Sequence, residues 1–157
     1  MNAPSPPAAA LPLARLLNHA ADAVQAVRSG RSLTEALARC PAEARPGAQA
    51  LSFHALRGLG GAQAVRALLA PKEPPPALDA LLLTALALLW PGEQARPYAD
   101  HTLVDQAVAA ARERAKQGAG FVNAVLRRFL RERDGLVDAA RRDPVARFNH
   151  PRWWIAR

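Results

Sequence analysis

The chain has 157 residues, enough for one domain with a single core and too few for two. Half of them are apolar, chiefly Ala and Leu with few aromatics and no Val-, Ile- or Thr-rich runs, which is a helical composition; the single cysteine, Cys40, excludes an intrachain disulfide and a Cys-based metal cluster. The formal charge of +8 is unevenly placed, with twelve Lys and Arg against five Asp and Glu from Arg112 to Arg157, and nine against eight before it.

Met1 to Ala10 is rich in Pro and Ala and lacks basic residues, so residues 1–11 read as a disordered tail rather than a signal or transit peptide, and a reducing, cytoplasmic setting is expected. Leu13, Leu16, Leu17, Ala20, Val24 and Val27 mark a first amphipathic helix, with Arg15 and Arg28 off its apolar stripe and Gly30 placed to end it. Ser32-Leu33-Thr34-Glu35 has the capping-box form and opens a short helix that Pro41 stops. Pro46 suits the first turn of a third helix, in which Ala48, Leu51, Ala55, Leu56 and Leu59 face inward until Gly58, Gly60 and Gly61 loosen the chain into a linker. A fourth helix, Ala62 to Leu69, ends before Pro71 and the Pro74-Pro75-Pro76 run.

Ala77 to Trp90 is apolar nearly all round, the pattern of a helix at the centre of a bundle. Its run from Ala80, interrupted by Thr84, is too short to span a bilayer, so no membrane is expected. After the loop of Pro91, Gly92 and Pro97, Thr102 with Asp105 resembles a capping pair for a helix through Leu103, Val104, Ala107, Val108 and Ala111. Arg112, Arg114 and Lys116 give that helix a cationic last turn, which its dipole favours.

The strongest helical pattern runs from Gly118 to Arg133. Phe121, Val122, Val125, Leu126, Phe129 and Leu130 recur as one buried face, while Arg127, Arg128 and Arg131 fall together on the other side beside the small Ala124. Leu136 to Arg142 continues this helix or forms another, and Asp143-Pro144 ends it. Six or seven short helices and no strand signal define an all-α bundle.

Chemistry of the common catalytic kinds is missing. No glycine-rich loop follows a strand, the four histidines are scattered, and Cys40 precedes a proline, so neither a phosphate loop nor a nucleophile–base pair is legible. His54 lies just off its helix stripe with no second ligand at metal spacing. Nineteen of the twenty-one cations are Arg, the residue that grips phosphate bidentately, and their segregation points to nucleic acid.

Val104-Asp105-Gln106-Ala107-Val108, the basic stretch after it and Phe121-Val122-Asn123-Ala124-Val125-Leu126-Arg127-Arg128 resemble the signature of NusB-like domains, all-α folds that bind RNA. His150-Pro151-Arg152-Trp153-Trp154 resembles the His-Pro-x-Trp that follows such a domain in small-subunit rRNA cytosine carbon-5 methyltransferases of the RsmB (Sun/Fmu) type. Gly30-Arg31-Ser32-Leu33 and Leu56-Arg57 agree more weakly. The chain departs from the pattern at Thr84-Ala85-Leu86-Ala87-Leu88, where a Gly-x-Tyr-Gln-like stretch is usual, and in a first helix with fewer arginines.

The resemblance implies a NusB-like domain over residues 12–142 and a linker, 143–157, toward a methyltransferase domain that this chain lacks. That domain would use S-adenosylmethionine; this chain itself would hold no cofactor and no metal and would not catalyse alone. The expected partners are small-subunit rRNA and that C-terminal domain. Arg127, Arg128 and Arg131, joined by Arg112, Arg114 and Lys116 and by Arg15 of the first helix, are the expected RNA contacts; phosphate contacts from the first six of these predict a log-log salt slope of roughly −4 to −5. Each arginine would serve equally on a solvated or ion-paired face, and Arg127 could bridge helices inside the bundle. Asn123 reads as a structural hydrogen-bonder, and Trp153 and Trp154 as packing at an interdomain junction. Two other readings remain open: a free-standing antitermination factor of NusB type, and a helical protein-interaction module.

Overall fold

A computed structural model describes residues 11–92 and 98–142. Residues 1–10 of the expected tail, Pro97 and the 143–157 linker with its His-Pro-x-Trp stretch lie outside these residues; Leu11, expected in the tail, packs half-buried against the cluster of Ala23, Leu37 and Cys40. Among the described residues eight α-helices follow one another: α1 (Leu13–Arg28), α2 (Leu33–Ala38), α3 (Arg45–Arg57), α4 (Leu59–Leu69), α5 (Pro76–Leu88), α6 (Asp100–Arg114), α7 (Ala119–Arg131) and α8 (Arg133–Arg141), with a 3-10 turn, Lys116–Gly118, between α6 and α7. No strand occurs among the described residues, and the architecture is the all-helical bundle that the periodicity predicts.

The bundle is built around α5, which is buried from Leu78 to Leu88 and packs against α1, α3, α4, α6 and α7. That follows from its lack of a polar face, since a helix apolar all round must be covered on every side. The remaining polar groups are satisfied locally or by ion pairing. Thr84 donates its hydroxyl to the Ala80 carbonyl at 2.7 Å. Asp79, fully buried in the first turn of α5, holds Arg28 of α1 at 3.0 Å and Arg66 of α4 at 2.9 Å, the second contact being close but off the hydrogen-bond line. Burial pushes the Asp79 carboxyl above its ordinary range, while Arg66 and Arg28 pull it back. A smaller cluster of Ala23, Leu37, Cys40, Ala44 and Ala48 lies under α2, and burial there pushes the Cys40 thiol up.

Two helix ends behave as read. Gly30 has φ +100°, and the N–H groups of Gly30 and Arg31 reach back to the Val27 and Ala26 carbonyls at 3.0 and 2.9 Å, closing α1 in a Schellman turn. Ser32 Oγ accepts from the Glu35 N–H at 3.1 Å and caps α2.

Other expectations are corrected. Thr102 and Asp105 do not cap α6, which begins two residues earlier at Asp100 after Ala99 with no side-chain cap; Asp100 itself supplies the first-turn acid. Gly60 and Gly61 are not a linker, because they lie buried inside α4 and the break falls at Gly58 alone. A side-chain carbon at Gly61 would sit 3.0 Å from the Trp90 ring, so this glycine serves close packing rather than flexibility. Leu59 accordingly belongs to α4 and not to α3. The Leu136 segment is a helix of its own, separated from α7 at Glu132, and it packs on α4.

Phe121 is the fourth correction, for it is 37% exposed and not part of the core. At 3.6 residues per turn Phe121 and Leu130 stand at the two edges of the α7 stripe, each about 90° from its centre, which Val122, Val125, Leu126 and Phe129 occupy. Leu130 is half-buried, and Phe121, in the first turn, is left outside.

Candidate nucleic-acid interface

The outer face of α7 reads Gly120, Phe121, Ala124, Arg127, Arg128 and Arg131, all exposed. The four inner residues turn this helix onto α6 and α5, and the arginines, 110° or more from the stripe centre by helical geometry, have nowhere to go but outward. α7 and α6 enclose a groove of about 410 Å³ lined by Asp105, Val108, Arg112, Ala119, Gly120, Asn123 and Arg127. No side chain caps the start of α7, and its Ala119 N–H donates to the Lys116 carbonyl; the positive end of the helix dipole lies at that groove, which Ala119 and Gly120 line.

The expected contact residues divide. Arg112 and Arg127 meet in the groove, with Lys116 exposed on the 3-10 turn above it in sequence. Arg127 is half exposed; its Nε donates to Asn123 Oδ1 at 2.8 Å and its Nη2 lies 3.6 Å from Asp105 Oδ1, so it bridges α7 to α6 while remaining open to solvent. Asn123 acts as the structural hydrogen-bonder its position indicates. Arg128 forms a surface i,i+4 pair with Glu132 at 2.9 Å, a contact worth at most a few tenths of a kcal/mol. Arg131 stands exposed at the end of α7 beside Leu130, Arg133 and Asp100. Arg15 is exposed on α1 but does not line the groove.

Arg114 departs from this group, since its side chain is only 9% exposed and is committed to the protein. It pairs with Asp22 at 2.6 Å and donates to the Ala77 carbonyl at 2.7 Å, to Gln25 Oε1 at 3.1 Å and to the Asn18 carbonyl at 3.3 Å, tying α6 to α1 and α5. The reason is angular: two residues beyond Arg112, a side chain turns by about 200° and points back into the bundle. Alternation along the helix could have flagged it.

Reading the chain by residue also missed three structural arginines. Arg28 and Arg66 serve Asp79, and Arg133 pairs with Asp100 at 2.6 Å while its guanidinium lies 5.8 Å over the Phe129 ring, which in turn stacks on Trp90 at 6.2 Å. His54 bonds to the Ala87 carbonyl at 3.1 Å, a packing role. No group of three potential metal ligands occurs among the described residues, and none of their helices is long and apolar enough to cross a membrane.

With this geometry in place, the model of the NusB family matches residues 17–131. The chain belongs to the NusB family. No curated protein matches it. The NusB match runs from the first turns of α1 to the last residue of α7, so the groove and the exposed arginines of α7 fall within the family's own segment, and α8 lies beyond it.

Proposed function

We propose that this NusB-family chain is an RNA-binding domain that positions small-subunit rRNA, in the cytoplasm, for an S-adenosylmethionine-dependent cytosine carbon-5 methyltransferase domain. The observation that carries the RNA reading is the sorting of cations. Arg28, Arg66, Arg114 and Arg133 are held by the fold, whereas Arg112 and Arg127 line the open α6–α7 groove and Lys116, Arg128 and Arg131 stand exposed on the turn before α7 and along it. Residues 12–142 are the domain and 143–157 the link to the catalytic part. The cofactor belongs to that part, and no step of methyl transfer is assigned to these residues.

The open cations hold phosphates and set the strand's position without reading its sequence. With Arg114 withdrawn, five contacts remain, and the log-log slope of affinity against salt is expected near −3.5, shallower than six contacts would produce. Changing Arg128 and Arg131 together to Glu abolishes retention of labelled small-subunit rRNA fragments while circular dichroism stays unchanged; unaltered retention would remove this face from the reading and leave a protein-docking surface.

The family match equally supports a second reading, a free-standing antitermination factor of NusB type. Two genomic observations separate them: a coding frame that runs on into a cofactor-binding domain favours the first, and a stop codon after Arg157 favours the second.

A further inference from the structure

Within the α6–α7 groove every charged lining residue but one is cationic; the exception is Asp105. Its Oδ1 lies 3.6 Å from Arg127 Nη2, with the two side chains 64% and 50% exposed. So exposed a pair contributes little to folding, and Arg127 already has a shorter bond to Asn123 on its own helix. Asp105 is also not the cap of α6. A carboxylate whose structural contact is this weak, exposed bridge to α7 therefore stands in the groove beside its two arginines, Arg112 and Arg127.

We infer that Asp105 is a brake on the groove's affinity for RNA phosphate. This rests on the RNA-binding reading and adds the regulation of that site. The carboxylate acts twice on an incoming phosphate: it repels it, and it stands 3.6 Å from the Arg127 Nη2 that would otherwise join a fork to two phosphate oxygens. Binding thus requires Arg127 to exchange one anionic partner for another. The groove releases RNA more readily than its cation count implies, which suits a domain that must place a substrate and let it go.

The test is fluorescence anisotropy of a short labelled single-stranded RNA of mixed sequence with four proteins: wild type, Asp105→Asn, Arg127→Gln and the double variant. Asp138→Asn, an exposed change of the same charge on α8 and outside the groove, is the control. Removing one charge from beside a phosphate in water should tighten binding by about five-fold at low salt, fading as salt screens it. Asp138→Asn should change binding less than two-fold by the same distance argument. In the Arg127→Gln background the gain from Asp105→Asn should shrink, because the competition for the guanidinium is gone. Wild type that holds RNA, with Asp105→Asn no tighter than Asp138→Asn, overturns the brake and leaves RNA binding standing. An undiminished gain in the Arg127→Gln background overturns the role of the pair, and a wild type that holds no RNA overturns both readings.

Discussion

Arginine leads two lives in this molecule. Around α5, Arg28 and Arg66 converge on Asp79, a carboxylate with no solvent exposure, and their charges hold α1 and α4 to the central helix. On the outer faces of α6 and α7 the same residue type stands in water, paired weakly or not at all among the described residues, with Arg114 of α6 the exception. The two regions differ less in composition than in angle. An arginine on the inner arc of its helix must find an acid or a carbonyl or it would be a buried unpaired charge; one on the outer arc is left available. Cation count alone therefore overstates a binding surface, and burial decides which cations belong to it.

The sharpest way to break this contrast is at the inner set. Arg66→Met strips Asp79 of one partner inside the core and should cost about 3–5 kcal/mol at neutral pH, read as a shift in denaturant midpoint. The sign of its pH dependence is determined as well. Burial has already raised the Asp79 pKa, and loss of Arg66 raises it further; a group with a raised folded-state pKa contributes stability below its unfolded pKa that is lost as pH rises through the folded one. The deficit of the variant relative to wild type should accordingly shrink on acidification. A deficit that stays level with pH would mean that Asp79 does not titrate.

Arg114 tests the boundary between the regions, because it sits among the outer arginines in sequence and among the inner ones in space. Arg114→Lys keeps the charge but not the fork, and should lose about 1.5–3 kcal/mol in thermal unfolding with RNA affinity unchanged at temperatures where the variant is folded. Were Arg114 an RNA contact instead, affinity would fall and stability would hold. Gly61→Val, which pushes side-chain atoms into the Trp90 ring, should cost about 1–3 kcal/mol, again without touching the outer face. Smallest in stability is the double change of Arg128 and Arg131 to Glu, expected to cost about 1 kcal/mol or less through the lost pair with Glu132 and the helix dipole, although its effect on RNA retention should be complete.

The helices were legible because their signals are local: apolar spacing, the Ser32 cap, the Gly30 terminus and the proline stops all act within a turn or two. The errors came where a partner distant in sequence makes the choice. Gly61 reads as slack until Trp90 is placed against it, and Arg114 as a surface charge until Asp22 and the carbonyl of Ala77 arrive from α1 and the start of α5. Phe121 failed for a different reason, since an edge position on a stripe is decided by what the neighbouring helix covers. For the interface, the cationic face of α7 could be read from spacing, but its groove and the acid within it required the α6–α7 packing.

Arg114 also bears on the kinetics of capture. By fastening the last turn of α6 to α1 and α5, it fixes the starting point of the 3-10 turn and hence the placing of α7 before any ligand arrives. Where the backbone that carries the outer cations is held before association, the entropy lost falls on a few side-chain rotamers and on the RNA strand itself. Encounter then resembles the docking of a rigid charged plate, with an on-rate governed by ionic strength rather than by a folding step.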